Sequence, residues 1–100
     1  MNVKGYKTVA TYASNKITVY SDGNNCIITI SGSFNTSTSS ATTLTTIDTK
    51  YAPIYTSMSN YSFTSTSFYP ISINSEGKIQ ISKTNAASIG IYTSLFYKIK

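Results

Sequence analysis

The stretch that most constrains the fold runs from Phe68 to Ser82, Phe-Tyr-Pro-Ile-Ser-Ile-Asn-Ser-Glu-Gly-Lys-Ile-Gln-Ile-Ser. Apolar and polar residues alternate on both sides of a short polar break, the period-two pattern of two half-buried strands. Turn chemistry fixes the register. A two-residue turn at Glu76-Gly77 sets Ile73 against Gln80, so the apolar faces disagree. A three-residue loop, Ser75-Glu76-Gly77, sets Ile73 against Ile79 and Ile71 against Ile81. That loop is a type I turn followed by a residue at positive φ, a place for Gly77, with Asn74 suited to its first position.

The rest of the chain reads in the same way. Residues 6–13 are expected to form a first strand and residues 15–33 a second hairpin. Asp22-Gly23 as a type I′ turn sets Val19 opposite Cys26 and Ile17 opposite Ile28, with Ile30 extending the buried row. From Gly32 to Ser40 the chain turns to Ser, Thr and Asn around one Phe, the composition of a loop or a weakly specified strand. Residues 42–47 suit another strand, and Asp48 to Pro53 an irregular crossover, because Pro53 moves Ala52 out of the helical region. Strands are expected from Ile54 to Met58 and from Tyr61 to Thr64. A loop follows from Thr84 to Gly90, then a last strand from Ile91 to Lys100. There Leu95, Tyr97 and Ile99 take one face, while Phe96, Lys98 and Lys100 take the other. Ser and Thr make up about a third of the chain and good helix formers are scarce, which suits a pleated, half-exposed sheet. The expectation is a single β domain over residues 1–100, an antiparallel β-sandwich or barrel of about seven or eight short strands.

The inventory of reactive groups excludes much chemistry. The 100 residues contain no His, so neither a Ser-His-Asp nor a Cys-His arrangement is available, nor a His-based zinc or iron site. Glycoside hydrolysis usually needs two carboxylates facing one bond. The three acids are Asp22, Asp48 and Glu76, and Asp22 and Glu76 serve turns. No enzyme, cofactor or metal is expected. The lone Cys26 allows no intrachain disulfide. The net charge of +5 comes from eight Lys and no Arg. These lysines are scattered and read as solubility charges and blockers of edge-strand pairing, so no nucleic-acid partner is expected. No apolar run reaches the roughly 20 residues of a bilayer-spanning helix, so no membrane insertion is expected.

The order of features resembles a known family. A strand ending Ile28-Thr29-Ile30-Ser31-Gly32 leads to a Ser/Thr-rich stretch and Tyr51-Ala52-Pro53. Then come Ile71-Ser72-Ile73-Asn74-Ser75-Glu76-Gly77-Lys78-Ile79 and a terminal Phe96-Tyr97-Lys98-Ile99-Lys100. Over residues 17–100 this is similar to the C-terminal head domain of receptor-binding and baseplate (tail fibre) proteins of tailed phages infecting Gram-positive bacteria. The resemblance implies a homotrimeric β head at the phage tail tip, an extracellular part of the virion, that adheres to saccharides of the host cell wall. Characterised lactococcal heads use a His-x-Asp on the first strand of the hairpin and a Trp on the second. Here Pro70, Ser72 and the Gln80–Ser82 region stand in those places, so that sugar-binding set is not carried over.

Saccharide binding needs aromatic faces for the apolar side of a sugar and amides or hydroxyls for its polar groups. Nine Tyr and many Asn, Ser, Thr and Gln provide both. Tyr51, Tyr55, Tyr61, Tyr69 and Tyr92 fall in or beside expected loops, and for each the alternative is a core or interface Tyr with its hydroxyl at the rim. The candidate ligand-binding set is Tyr61, Tyr69, Ser72, Gln80 and Tyr92. Ile27 and Phe96, expected to point away from the core, are the candidates for subunit contact. Two other functions stay open: a structural or interaction β domain of a virion or cell surface without a sugar ligand, and a basic nucleic-acid-binding β-barrel.

Overall fold

A computed structural model describes residues 5–55 and 68–99 in full and residues 57–63 as backbone. Thr64 and Lys100, assigned above to strands, lie outside the described residues. The described residues form eight strands: β1 (Lys7–Tyr12), β2 (Ile17–Ser21), β3 (Asn25–Asn35), β4 (Thr42–Thr46), β5 (Ser57–Phe63), β6 (Phe68–Asn74), β7 (Lys78–Ile81) and β8 (Ser88–Lys98). The described pairings are all antiparallel, in the order β1-β2-β3-β8-β5-β6-β7-β4. The two four-strand halves are joined where Phe63 of β5 pairs with Tyr92 of β8. They fold face to face around one core, a sandwich-like all-β architecture.

Alternation builds that core. Ile17, Val19, Cys26, Ile28, Ile30, Ile91, Leu95 and Tyr97 come from the first half. Ile71, Ile73, Ile79 and Ile81 come from the second, and Ile47 from the end of β4. The core is dominated by β-branched side chains, stiff at χ1 and well matched to a pleated surface.

The β6–β7 hairpin has the expected register, Ile73 opposite Ile79 and Ile71 opposite Ile81. The Gly77 amide donates to the Asn74 carbonyl at 2.9 Å. The Asn74 side-chain oxygen accepts from the Glu76 and Lys78 amides, and Gly77 sits at φ +86°. A second constraint on Gly77 comes from packing. A Cβ there overlaps the Ile47 carbonyl oxygen, while the Ile47 amide donates to the Gly77 carbonyl at 2.9 Å.

The β2–β3 hairpin differs from expectation. Val19 faces Ile28, Ile17 faces Ile30, and Cys26 faces Ser21. Gly23 and Asn24 form the turn, with Asp22 before them. The Asp22 carboxylate is the reason: its Oδ1 accepts from the Asn24 amide at 2.9 Å and the Asn25 amide at 2.8 Å. The shift is two residues on β3, so the same side chains stay buried.

Three boundaries also move. Gly32–Asn35, expected as a loop or a weakly specified strand, takes the strand alternative and continues β3, and Ser88–Gly90, expected as loop, opens β8. Each supplies the other's partners, Phe34 facing Ile89 and Asn35 facing Ser88. The two strands expected at Ile54–Met58 and Tyr61–Thr64 are replaced by one, Ser57–Phe63, paired along β6. Ile54 and Tyr55 lie outside it and are exposed.

Rim tyrosines tie the crossovers down. After β4 the chain makes a 3-10 turn over Thr49–Tyr51, capped by Asp48, whose side chain accepts from the Lys50 amide. The Asp48 amide donates to the Tyr12 hydroxyl at 3.1 Å. The buried Tyr97 hydroxyl donates to the Tyr51 carbonyl at 2.5 Å. The Asn85 amide donates to the Tyr69 hydroxyl at 3.3 Å, fixing the connection between β7 and β8.

Candidate functional site

The five residues proposed from sequence separate into different places. Ser72 and Gln80 are direct partners across β6 and β7. Both are half-buried on the outer side of the second half, and Gln80 Nε2 donates to Thr43 Oγ1 at 3.1 Å. Tyr69 faces inward, packs against the core and spends its hydroxyl on Asn85. Tyr61 takes its register place in β5 opposite Pro70, and its side chain lies outside the described residues. Tyr92 stands on the outer side of β8 in the first half and is 60% exposed. The structure therefore brings Ser72 and Gln80 together and leaves Tyr69 and Tyr92 apart from them. Of the other loop tyrosines, Tyr51 packs against the core, with Lys50 Nζ 5.1 Å from its ring centroid. Tyr55 is 80% exposed.

The surface around Tyr92 is the richest in chemistry. In antiparallel pairs, residues directly opposite share a face, so register alone builds the outer rows of this half. One row reads Thr8, Tyr20, Ile27 and Phe96 across β1, β2, β3 and β8, and the next reads Thr11, Thr18, Thr29 and Ser94. A third joins Ser31 to Tyr92 and continues through the Phe63 position to Phe68 of β6. Phe68 and Phe96 are exposed like Tyr92. Tyr92 and Phe96 are four residues apart on one strand, about 13 Å. Tyr92 and Phe68 are two strands apart, about 10 Å.

Gly90 shapes the Tyr92 ring. A Cβ on Gly90 comes to 2.9 Å from Tyr92 Cε2 and 3.4 Å from its hydroxyl oxygen, so that edge of the ring sits over a residue that offers it no side chain. The Tyr92 residue is otherwise largely open to solvent. Hydroxyls of Ser31, Ser33, Ser88 and Ser94 stand exposed on the same face of β3 and β8. Sequence reading placed Tyr92 at the start of the last strand, beside a loop, and missed this grouping because it did not pair that strand with the Ser31–Asn35 end of β3. Strand parity was the available signal, since Tyr92, Ser94, Phe96 and Lys98 are alternate residues of β8.

Among the described residues, no three His, Cys, Asp or Glu side chains come together as metal ligands. Hydrogen bonds from the Asn24 and Asn25 amides hold the Asp22 carboxyl below the ordinary carboxylate range. Burial pushes the Cys26 thiol up, and burial, with Cys26 beside it, raises the Tyr97 phenol. Cys26 and Tyr97 lie in the core, and Asp22 lies at the hairpin tip. No protein-family model matches this chain, and no curated protein sequence matches it.

Proposed function

We propose that this chain is a non-catalytic adhesion module, the receptor-binding head of a phage tail fibre or baseplate, which binds host cell-wall saccharide as a homotrimer. The observation that carries the saccharide reading is the exposed Tyr92 ring, its Cε2–hydroxyl edge set over Gly90, among Ser31, Ser33, Ser88 and Ser94. Such a ring covers the apolar face of a pyranose, and hydroxyls at the strand spacing take up its polar edge. Phe68, across the seam between the halves, offers a second apolar contact. Ser72 and Gln80 are set aside as a primary site, because the Gln80 amide is already engaged by Thr43.

The trimer takes a different row, Tyr20, Ile27 and Phe96. The two residues proposed as subunit contacts, Ile27 and Phe96, are register partners on one face. A shallow site binds weakly, and three on one rigid head raise avidity by about 10²–10⁴. The test is retention of the protein on purified cell walls of Gram-positive bacteria and on a glycan array, with Tyr92→Ala alongside. Binding that falls at least about tenfold in Tyr92→Ala, equivalent to 1.4 kcal/mol, with the thermal midpoint unchanged, supports the reading. Wall binding unaffected by Tyr92→Ala refutes this site.

A second reading, a structural or interaction domain without a sugar ligand, is favoured by the same Tyr20–Ile27–Phe96 row, which is an apolar strip on a sheet face. It is selected if light scattering gives a trimer while no wall preparation or array glycan is retained.

A further inference from the structure

Among aspartyl dipeptides, Asp-Gly is the most prone to succinimide formation, because glycine has no side chain to shield its amide nitrogen. In this chain that dipeptide sits at an exposed hairpin tip. The Gly23 nitrogen attacks Cγ of Asp22, and its proton leaves with the carboxyl hydroxyl as water. Water then reopens the imide at the backbone carbonyl of Asp22, and the main chain runs on through Cγ as isoaspartate. Composition is unchanged and no oxidant or reductant is needed.

The native turn opposes each requirement of that attack. Asp22 Oδ1 accepts from the Asn24 amide at 2.9 Å and the Asn25 amide at 2.8 Å, which directs the carboxylate over the turn. The Gly23 amide donates to Ser21 Oγ at 3.0 Å, so its proton is engaged and the nitrogen faces Ser21. Ser21 is itself held, since its hydroxyl donates to the Asn25 carbonyl at 3.0 Å and its residue is buried. The Asp22 amide donates to the Asn25 carbonyl at 3.3 Å, closing the base of the turn. The same amide bonds keep the Asp22 carboxyl ionised, and the ionised form is the poorer partner for loss of water.

We propose that Asp22–Gly23 is an isoaspartate-forming site that the closed β2–β3 turn holds in an unreactive geometry, so that modification there records opening of this hairpin. The product is disruptive. An extra backbone carbon at position 22 separates Ser21 from Cys26 and shifts the register that places Tyr20 beside Ile27. A chain modified while open therefore recloses with an altered outer face.

The test incubates the native protein and the same chain in concentrated urea at neutral pH and 37 °C. Isoaspartate at Asp22 is followed by peptide mapping and by enzymatic methylation of isoaspartyl groups. The native rate is expected to be more than about tenfold slower, because reaction there waits on local opening. Equal rates in the two states overturn the proposal. Ser21→Ala, which frees the Gly23 amide, is expected to raise the native rate several-fold and leave the urea rate unchanged, and an unchanged native rate counts against the mechanism. Should Ser21→Ala lose its fold, Asp22→Asn decides instead. It keeps the Oδ1 acceptor, and its loss of ammonia should show the same native-to-urea ratio; equal native and urea rates there overturn the proposal.

Discussion

Gly77 carries two separable constraints, and replacing it with alanine tests both. The first is conformational. At φ +86° a Cβ costs about 1–2 kcal/mol, offset by about 0.4–1 kcal/mol from the smaller entropy of the unfolded chain. The net is about 1 kcal/mol. The second is steric. The new Cβ overlaps the Ile47 carbonyl oxygen, so the end of β4 must move. That movement breaks the bond from the Ile47 amide to the Gly77 carbonyl, worth about 0.5–1.5 kcal/mol, and disturbs the buried Ile47 side chain. Gly77→Ala is therefore expected to cost about 2–3 kcal/mol in all. Gly23 provides the control. It lies at φ +97°, and a Cβ added there meets nothing within 4 Å, so Gly23→Ala should cost only the conformational part, about 1 kcal/mol. Urea titration measures both, and thermal midpoints should fall by about 4–8 °C per kcal/mol. Equal losses at the two positions would refute the claim that Gly77 is specified by its contact with β4.

Ala13, Ser14 and Asn15 form a run of positive-φ residues in the β1–β2 turn, so Ala13→Gly is expected to raise stability by about 0.5–1 kcal/mol, read by urea midpoint. Tyr97→Phe removes the donor to the Tyr51 carbonyl and should cost about 1 kcal/mol. Because burial raises the folded phenol above its unfolded value, its contribution is complete below about pH 10 and is lost as pH rises beyond it. Tyr97→Phe should flatten that alkaline fall in an otherwise matched urea series. Cys26 is fully buried with a raised pKa, so a thiol reagent at neutral pH should label it at the rate of opening, and rapid stoichiometric labelling of native protein would contradict its place in the core.

Alternation and parity made the core legible. Ile71, Ile73, Ile79 and Ile81 were placed by the hairpin at Gly77, and the buried set of β2 and β3 survived an incorrect turn because the error was an even number of residues. The turn itself was misread for a physical reason. Asp-Gly suits the centre of a type I′ turn on backbone preference alone, whereas here the carboxylate acts as an acceptor from outside the turn. Read alone, Gly32–Asn35 leaves loop and weak strand undecided, and Ser88–Gly90 looks like loop. They become strand because each is the other's partner, a long-range fact that no local window contains. The surface around Tyr92 was harder still. Its rows depend on β8 lying between β3 and β5, an order that alternation within one strand leaves undetermined.

That placement of β8 also governs how the molecule can form. Among the described pairings the longest ladder joins β3 to β8, two strands separated by more than half the chain, and β8 links the halves where Tyr92 pairs with β5. Closing so distant a pairing carries a large loop entropy before any contact repays it, which places such sheets in the millisecond-to-second range of folding times. During synthesis β1, β2 and β3 emerge early and wait with one edge unsatisfied. The sheet becomes a single object only after Ser88–Lys98 has left the ribosome, and until then β3 is an open template for any strand that reaches it first.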